Sequence, residues 1–145
     1  MTTGLDDLYQ EVILDHNRHP RNFRALEGAA SGEAFNRMCG DRVTAYVRVD
    51  AGVIADVGFQ GSGCAISRAS ASLMTEAVRA KTVADAAALI ERLHQALLSP
   101  PGSTVDQLGT LAPLAGVRQF PIRIKCALLA WDALRAALAG QLTSR

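Results

Sequence analysis

Residues 39–64 read CGDRVTAYVRVDAGVIADVGFQGSGC, and their pattern predicts a β-hairpin. Residues 43–49 and 53–60 alternate in hydrophobicity and are rich in β-branched side chains, which is typical of strands. The Asp-Ala-Gly sequence between them favours a tight turn. Because the strands of a hairpin are antiparallel, its two open ends lie side by side. The sequence therefore places Cys39 near Cys64.

Four side chains of the chain are suitable donors for one metal ion: Cys39, Asp41, Cys64 and Cys126. A single glycine separates Cys39 from Asp41, so both side chains can turn toward one centre. Tetrahedral zinc accepts thiolate sulfur at about 2.3 Å and carboxylate oxygen at about 2.0–2.2 Å. Thiolates also hold iron–sulfur clusters. These four residues are predicted to form one metal site, and the alternative is that isolated cysteines are buried as small apolar residues.

The surroundings of Cys64 and Cys126 favour thiolates over thiols. Cys64 follows a glycine-rich turn and precedes a helical pattern, so its sulfur is expected near free N–H groups at the positive end of a helix. Cys126 lies shortly after Pro121, a residue common at the start of a helix, and follows Arg123 and Lys125. Nearby cations stabilise a thiolate.

Composition limits the class of protein. The chain has 145 residues, of which 49% are hydrophobic, and no linker-like segment divides it, so a single domain over residues 1–145 is predicted. The net charge of +1 and the dispersed basic residues give no reason to expect nucleic-acid binding. No apolar run approaches the roughly 18 residues that span a bilayer, and the first residues do not resemble a signal peptide. We therefore expect a cytoplasmic protein without a disulfide framework.

The rest of the chain has mostly helical patterns. The apolar spacing predicts an opening helix over residues 5–16, a helix after Cys64, and one over residues 83–97 that is capped by Thr82. A last helix is expected from about Pro121 to Leu138. No strand is predicted in the segment before residue 39, which contains glycine and alanine. Residues 99–116 are expected to be loop-rich with one short helical turn. Strands followed by helices indicate an α+β fold, with a small antiparallel sheet packed on one side by helices.

The histidines are predicted to lie outside the metal site. His94 falls within a helical pattern, and His16 and His19 flank the first loop, where they are expected to cap the opening helix. A role of His16 and His19 in partner binding stays open. Ser67, Ser70 and Ser72 are interpreted as small packing residues beside the site and not as nucleophiles, because no histidine–acid pair accompanies them in the sequence.

Three segments together resemble a known family: residues 39–41 (CGD), 61–67 (GSGCAIS) and 123–126 (RIKC). They are similar to the iron–sulfur cluster assembly proteins of the IscU/SufU/NifU amino-terminal family, and the resemblance runs from about Leu5 to Leu138. It implies the two-layer α+β domain of that family. Arg37 stands where the family commonly has a proline before the first cysteine, which implies a more mobile loop around Cys39.

Within that family the chain resembles the SufU branch. Lys125 occupies the position where scaffold members usually have histidine, Arg123 precedes it, and the long interval between Cys64 and Cys126 is also SufU-like. The resemblance implies a zinc-dependent sulfurtransferase that accepts persulfide sulfur from a SufS-type cysteine desulfurase and passes it toward downstream iron–sulfur assembly proteins. It also implies that Cys39 is the persulfide acceptor. Cys126 is the second choice, because its neighbouring cations would also stabilise a thiolate.

Zinc bound by three thiolates and one carboxylate has a formal charge of about −2, which Arg123 is expected to compensate. Two other functions stay open. A scaffold would use the same ligands to hold a labile [2Fe–2S] cluster, and a structural zinc module would have a closed site without a reactive thiol. Lys125 in place of histidine argues against the scaffold. The carboxylate of Asp41 argues against a structural site, since such sites ordinarily use cysteine and histidine.

Overall fold

A computed structural model of the chain describes residues 4–37, 40–100 and 108–143. Three strands and four α-helices, with one 3-10 helix, make up the described part of the chain. In chain order the elements are α1 Gly4–Arg18, β1 Ala30–Asn36, β2 Asp41–Asp50, β3 Val53–Ser62, α2 Ala65–Val78, α3 Val83–Leu97, the 3-10 helix Gly109–Gln119 and α4 Pro121–Thr143.

The strands form an antiparallel sheet in the order β1-β2-β3. The predicted hairpin is confirmed as β2 and β3, and Arg42 pairs with Ser62 at its open end. Its turn consists of Ala51 and Gly52, with φ angles of 54° and 80°. Positive φ at both central residues is the feature of the type I′ turn, whose twist suits an antiparallel pair.

Strand β1 was not predicted from the sequence. Its residues, ASGEAFN, include few of the β-branched side chains that indicate strands. The strand forms because its backbone pairs with β2 and because Gly32 lies directly against α4. A Cβ atom on Gly32 would lie 2.4 Å from the carbonyl oxygen of Ala133 and from the amide nitrogen of Ala137. Glycine is therefore required for the close approach of β1 to α4.

One face of the sheet is buried against helices, as the predicted α+β class requires. Alternate residues of β2 (Val43, Ala45 and Val47) are buried, and α4 packs against both β1 and β2. Helix α2 connects to α4 through Trp131, whose Nε1 donates a 3.0 Å hydrogen bond to Ser70 Oγ. The fold is thus a sheet layer and a helix layer, and the site lies where their ends meet.

The predicted helices are present, with one difference in the interval before α4. Thr82 caps α3 as expected, since its hydroxyl accepts a 3.0 Å hydrogen bond from the backbone N–H of Asp85. The interval contains an eleven-residue 3-10 helix rather than one short turn. It is stabilised by burial of Leu111 and Leu114, which have at most 1% of their surface exposed. No helix in the described ranges combines the length and apolarity needed to cross a membrane.

Candidate metal centre

Three separate elements each bring one donor to the same point. Asp41 is the first residue of β2, Cys64 precedes α2, and Cys126 lies in the second turn of α4. A carboxylate oxygen of Asp41 and the two sulfur atoms all lie within 4.8 Å of one another. Asp41 and Cys126 are buried, with 3% and 0% of their surface exposed, and Cys64 is half-buried. The structure thus brings together three of the four predicted ligands.

The fourth predicted ligand, Cys39, lies outside the described residues. The chain on either side of it is held by one backbone hydrogen bond of 2.7 Å, which the N–H of Gly40 donates to the carbonyl oxygen of Asn36. Gly40 has a φ of 72°, a conformation that favours glycine. Asn36 and Asp41 are paired across β1 and β2, so the described residues that precede and follow Cys39 in the sequence are neighbours in the sheet.

The glycine before Cys64 allows the chain to pass close to Asp41. A Cβ atom on Gly63 would lie 2.8 Å from Asp41 Cγ and 2.5 Å from Ser67 Oγ. With glycine there, the backbone N–H of Cys64 donates a 3.2 Å hydrogen bond to Asp41 Oδ1. Glycine is therefore required at position 63, because any side chain there would collide with Asp41 and Ser67.

Cys64 occupies the N-cap position of α2, with φ −75° and ψ 171°, and its side chain makes no capping hydrogen bond. An N-cap side chain lies close to the free N–H groups of the first turn, where the helix dipole favours negative charge. The predicted start of a helix immediately after Cys64 is confirmed. The N-cap position places the Cys64 side chain at the amino-terminal end of α2.

The second oxygen of Asp41 supports a metal ion at this point. Asp41 Oδ2 is buried and has no hydrogen-bond partner among the residues that the structure describes. A buried carboxylate oxygen ordinarily has a partner, because leaving it unsatisfied costs about 1–3 kcal/mol or more. Ligands of a tetrahedral zinc lie roughly 3.5–3.8 Å apart, so small side-chain rotations would suffice to bring these donors onto one ion. The residues present fit zinc.

Each of the two described sulfur atoms has a polar neighbour, of which the sequence placed Ser67 beside the site and did not identify Asn36. Ser67 Oγ lies 3.9 Å from Cys64 Sγ and donates a 3.1 Å hydrogen bond to the carbonyl oxygen of Cys64. Asn36 Nδ2 donates to Cys126 Sγ at 3.9 Å. The three-residue spacing of Ser67 from Cys64 is a helical signal that could have indicated the first contact. The contact between Asn36 and Cys126 joins residues 90 positions apart, so no local sequence pattern could have predicted it.

An apolar cleft of about 780 Å³ opens beside the two sulfur atoms. Cys64, Cys126 and Arg123 line it, and so do Phe120 and Ile122, which are 50% and 68% exposed. The half-buried Cys64 is therefore open to a molecule in the cleft, whereas Cys126 lines the cleft but is itself buried.

The two cations before Cys126 lie in different clefts. Arg123 is exposed and lines the cleft beside the sulfur atoms. Lys125 lines a neighbouring cleft of about 400 Å³ together with Asn36 and Arg37.

The structure places the histidines away from the three donors. His94 Nε2 lies 2.9 Å from Asp132 Oδ1, and His19 is exposed at the end of α1. His16 does not cap α1, as the sequence had suggested, because its side chain is buried and its Nδ1 lies 2.7 Å from Ser72 Oγ on α2. Burial, followed by the positive charge of Arg21, lowers the pKa of His16 below its ordinary value.

Comparison with known proteins places the chain in a family. It is 38% identical over 138 residues to the zinc-dependent sulfurtransferase SufU of Bacillus subtilis (strain 168), a match that covers 95% of this chain and 94% of the relative. It is 39% identical over 134 residues to the iron–sulfur cluster assembly scaffold protein IscU of Streptococcus pyogenes serotype M1, covering 92% of this chain and 84% of the relative.

A solved structure gives the same result at the level of the fold. FiSufU, a protein of the SUF system from Fervidobacterium islandicum AW-1, matches with a TM-score of 0.82 and 36% identity, over 93% of this chain and 99% of that one. Residues 8–142 match the model of the NifU-like N-terminal domain. The resemblance stated from the sequence motifs is confirmed, and the chain belongs to the family of NifU-like N-terminal domain proteins.

Proposed function

We propose that this protein is a zinc-dependent sulfurtransferase that accepts sulfur from a SufS-type cysteine desulfurase for iron–sulfur cluster assembly. The observation that carries the proposal is the convergence of Asp41, Cys64 and Cys126 beside an open apolar cleft. The similarity to the zinc-dependent sulfurtransferase of Bacillus subtilis supports the same activity.

In this proposal Asp41, Cys64 and Cys126 hold the zinc together with Cys39. The bound ion keeps the cysteines deprotonated at neutral pH and undergoes no redox chemistry of its own. Asp41 contributes the one hard oxygen among soft sulfur donors, and its Oδ1 stays fixed by the N–H of Cys64. A mixed donor set of this kind suits a site whose ligands must exchange.

The chemical step is a thiolate–persulfide exchange. The Cys39 thiolate attacks the terminal sulfur of the desulfurase persulfide, a new S–S bond forms on Cys39, and the desulfurase cysteine leaves as a thiolate. The proton of the persulfide remains on the transferred sulfur, so the exchange needs no external oxidant or reductant. Cys39 is the preferred acceptor because the family resemblance points to it and because it falls between β1 and β2 in the sequence, without the proline common in the family. Cys64 is fixed at the N-cap of α2 and Cys126 within α4.

The cleft provides the approach for the desulfurase. The exposed side chains of Phe120 and Ile122 offer apolar surface beside the two sulfur atoms. Such surface at the mouth of a cleft is typical of an interaction site. Arg123, on the same wall, compensates the negative charge of the thiolates and of the incoming persulfide.

The second candidate is a scaffold that assembles a [2Fe–2S] cluster, with the cluster as its cargo and apo-proteins as recipients. The 39% identity to the IscU scaffold of Streptococcus pyogenes favours it, and the same thiolates would serve as cluster ligands. A structural zinc module is disfavoured, because Cys64 is half-buried and lines an open cleft.

Metal analysis and a visible spectrum of protein purified without added metal separate the two candidates. One zinc per chain and no colour supports the sulfurtransferase, and a brown protein with iron and acid-labile sulfide supports the scaffold. The transfer itself is tested by incubation with a SufS-type desulfurase and cysteine, followed by mass-spectrometric mapping of the added sulfur.

The mapping compares the parent with Cys39→Ser and Cys126→Ser, each with its zinc content measured, since an emptied site would also abolish transfer. We expect the persulfide on Cys39. A persulfide on Cys126 in the parent that persists in zinc-loaded Cys39→Ser would reassign the acceptor. No persulfide on any cysteine of zinc-loaded parent would refute the proposed function.

A further inference from the structure

Asn36, the last residue of β1, contacts both sides of the candidate centre. Its backbone carbonyl accepts a 2.7 Å hydrogen bond from the N–H of Gly40. Its partner across the sheet is Asp41. Its side-chain Nδ2 donates to Cys126 Sγ on α4 at 3.9 Å, which is a long but acceptable distance for a sulfur acceptor. Asn36 therefore joins the backbone of Gly40 and Asp41 to the sulfur of the last helix.

This contact lies in a water-poor environment. Asn36 is 7% exposed and Cys126 is 0% exposed. A hydrogen bond is electrostatically stronger at such low local dielectric than in water. An amide N–H that points at a thiolate withdraws electron density from the sulfur and fixes its direction, as other partners of metal ligands do.

The two described cysteines differ in whether a neighbouring side chain donates a hydrogen bond to the sulfur. The hydroxyl hydrogen of Ser67 is donated to the carbonyl oxygen of Cys64, so it is not directed at the sulfur of that residue. Cys64 is also half-buried, and it lines the open cleft. The amide donor of Asn36 thus acts on Cys126 in a way that Ser67 does not act on Cys64.

We infer that Asn36 is a positioning residue that holds the Cys126 sulfur in its metal-facing orientation and lowers its nucleophilicity. The consequence is selectivity: Cys126 stays in place while another cysteine of the site reacts. The inference rests on the proposed function for its purpose, since sulfur transfer is the reaction that needs one thiolate to be more reactive than the others.

The reactivity of the two sulfurs can be compared within one molecule. Zinc-loaded protein is treated with limiting iodoacetamide, and the ratio of labelling at Cys126 to labelling at Cys64 is read by mass spectrometry. Asn36→Ala removes the donor, and Asn36→Asp keeps the shape but replaces the N–H with a carboxylate oxygen. We expect the ratio to rise about tenfold in Asn36→Ala and further in Asn36→Asp, a size set by the usual effect of losing a partner of a metal ligand.

The matched control is Ser67→Ala, which removes the neighbour of the other sulfur and should not raise the ratio. A general loosening of the site would increase labelling at both cysteines and leave the ratio unchanged, and that result would overturn the inference. A second readout is transfer of zinc to a chromophoric chelator, which should be about tenfold faster in Asn36→Ala than in the parent. An unchanged transfer rate would also count against it.

Should Asn36→Ala and Asn36→Asp fail to fold, Asn36→Gln and Asn36→Met form a pair of nearly equal length. Only the first retains an amide donor, so labelling of Cys126 must be greater in the methionine variant, and equal labelling refutes the inference.

Failure of the inference and failure of the proposed function are distinguishable. If the parent accepts sulfur but the ratio of Cys126 to Cys64 labelling is the same in the parent and in the Asn36 variants, only the inference is refuted. A ratio that responds to Asn36 in a protein that accepts no sulfur refutes the proposed function alone.

Discussion

Asp41 and Cys64 are joined directly, because the backbone N–H of Cys64 donates a 3.2 Å hydrogen bond to Asp41 Oδ1. Two of the three described donors are thus coupled through the protein itself. The coupling depends on the absence of a side chain at Gly63, whose Cβ would lie 2.8 Å from Asp41 Cγ. Several consequences of this arrangement can be measured.

Gly63→Ala should lower zinc affinity while leaving the fold recognisable. The added methyl group forces the Asp41 carboxylate or the turn before α2 to move, and we expect a loss of at least about tenfold in affinity, measured by competition with a chelator. The methyl group also approaches Ser67 Oγ at 2.5 Å, so Gly63→Ala combined with Ser67→Ala is the control. Full recovery of affinity in the double variant would show that Asp41 is not the residue displaced.

Asp41→Asn should have opposite effects with and without zinc. In the metal-free protein the change removes a buried charge whose Oδ2 has no partner in the described chain, so the free energy of unfolding should be equal to or higher than that of the parent. With zinc present, the stabilisation by the ion should fall by about 1.4 kcal/mol for each tenfold loss of affinity.

Thermal unfolding of Asp41→Asn and the parent, each with zinc and with a chelator, checks this prediction. The parent should lose stability when zinc is removed, because donors from three elements bind one ion only in the folded chain. An equal gain from zinc in both proteins would exclude the carboxylate as a ligand.

Gly32→Ala should destabilise the fold by about 3 kcal/mol, the upper part of the range for overpacking, because its Cβ would meet backbone atoms of α4 that cannot rotate away. Urea unfolding of metal-free protein measures the effect. The neighbouring Ser31 is exposed, so Ser31→Ala is the control and should change the free energy of unfolding by less than about 0.5 kcal/mol. Similar effects of the two changes would mean that β1 does not depend on its contact with α4.

His16 should make the protein less stable at mildly acidic pH. Burial lowers its pKa from the ordinary value of 6.5, so between the folded and unfolded pKa values the unfolded chain binds more protons. The contribution of neutral His16 is fully present above about pH 6.5 and is lost as pH falls through that range. Arg21 acts in the same direction as burial, and Glu76 and Asp15 oppose it.

Urea midpoints of metal-free protein between about pH 7.5 and 5 test the His16 prediction. His16→Gln should flatten the dependence on pH, whereas His19→Gln, a change at an exposed histidine, should leave it as in the parent. A parent profile that His16→Gln does not alter would contradict the assignment.

Local sequence patterns predicted the parts of the fold that depend on local interactions. Alternation identified β2 and β3, and Thr82 marked the start of α3. Strand β1 was not predicted because it is stabilised by tertiary contacts, namely its pairing with β2 and the fit of Gly32 against α4. The longer 3-10 helix before α4 likewise depends on the burial of leucines, whose spacing in the sequence does not predict a helix.

The candidate centre divides in the same way. The grouping of Asp41 with Cys64 follows from the hairpin, so hairpin geometry predicted it. The approach of Cys126 required ligand chemistry, because α4 is distant in the sequence. Ser67 was expected beside the site, and it lies next to Cys64 Sγ. Asn36 contacts Cys126 Sγ only through tertiary packing, and the sequence did not identify it.

The distribution of the donors over β2, the start of α2 and α4 also governs when the centre can appear during synthesis. A ribosome releases Asp41 and Cys64 well before Cys126, so the emerging chain carries an incomplete site until α4 has been made and has docked. Stray ions in the cell meet only a partial set of ligands during that interval. A complete set of donors exists only once the chain has its native topology, so metal would bind after folding. A metal-loaded centre would then indicate a completely folded chain.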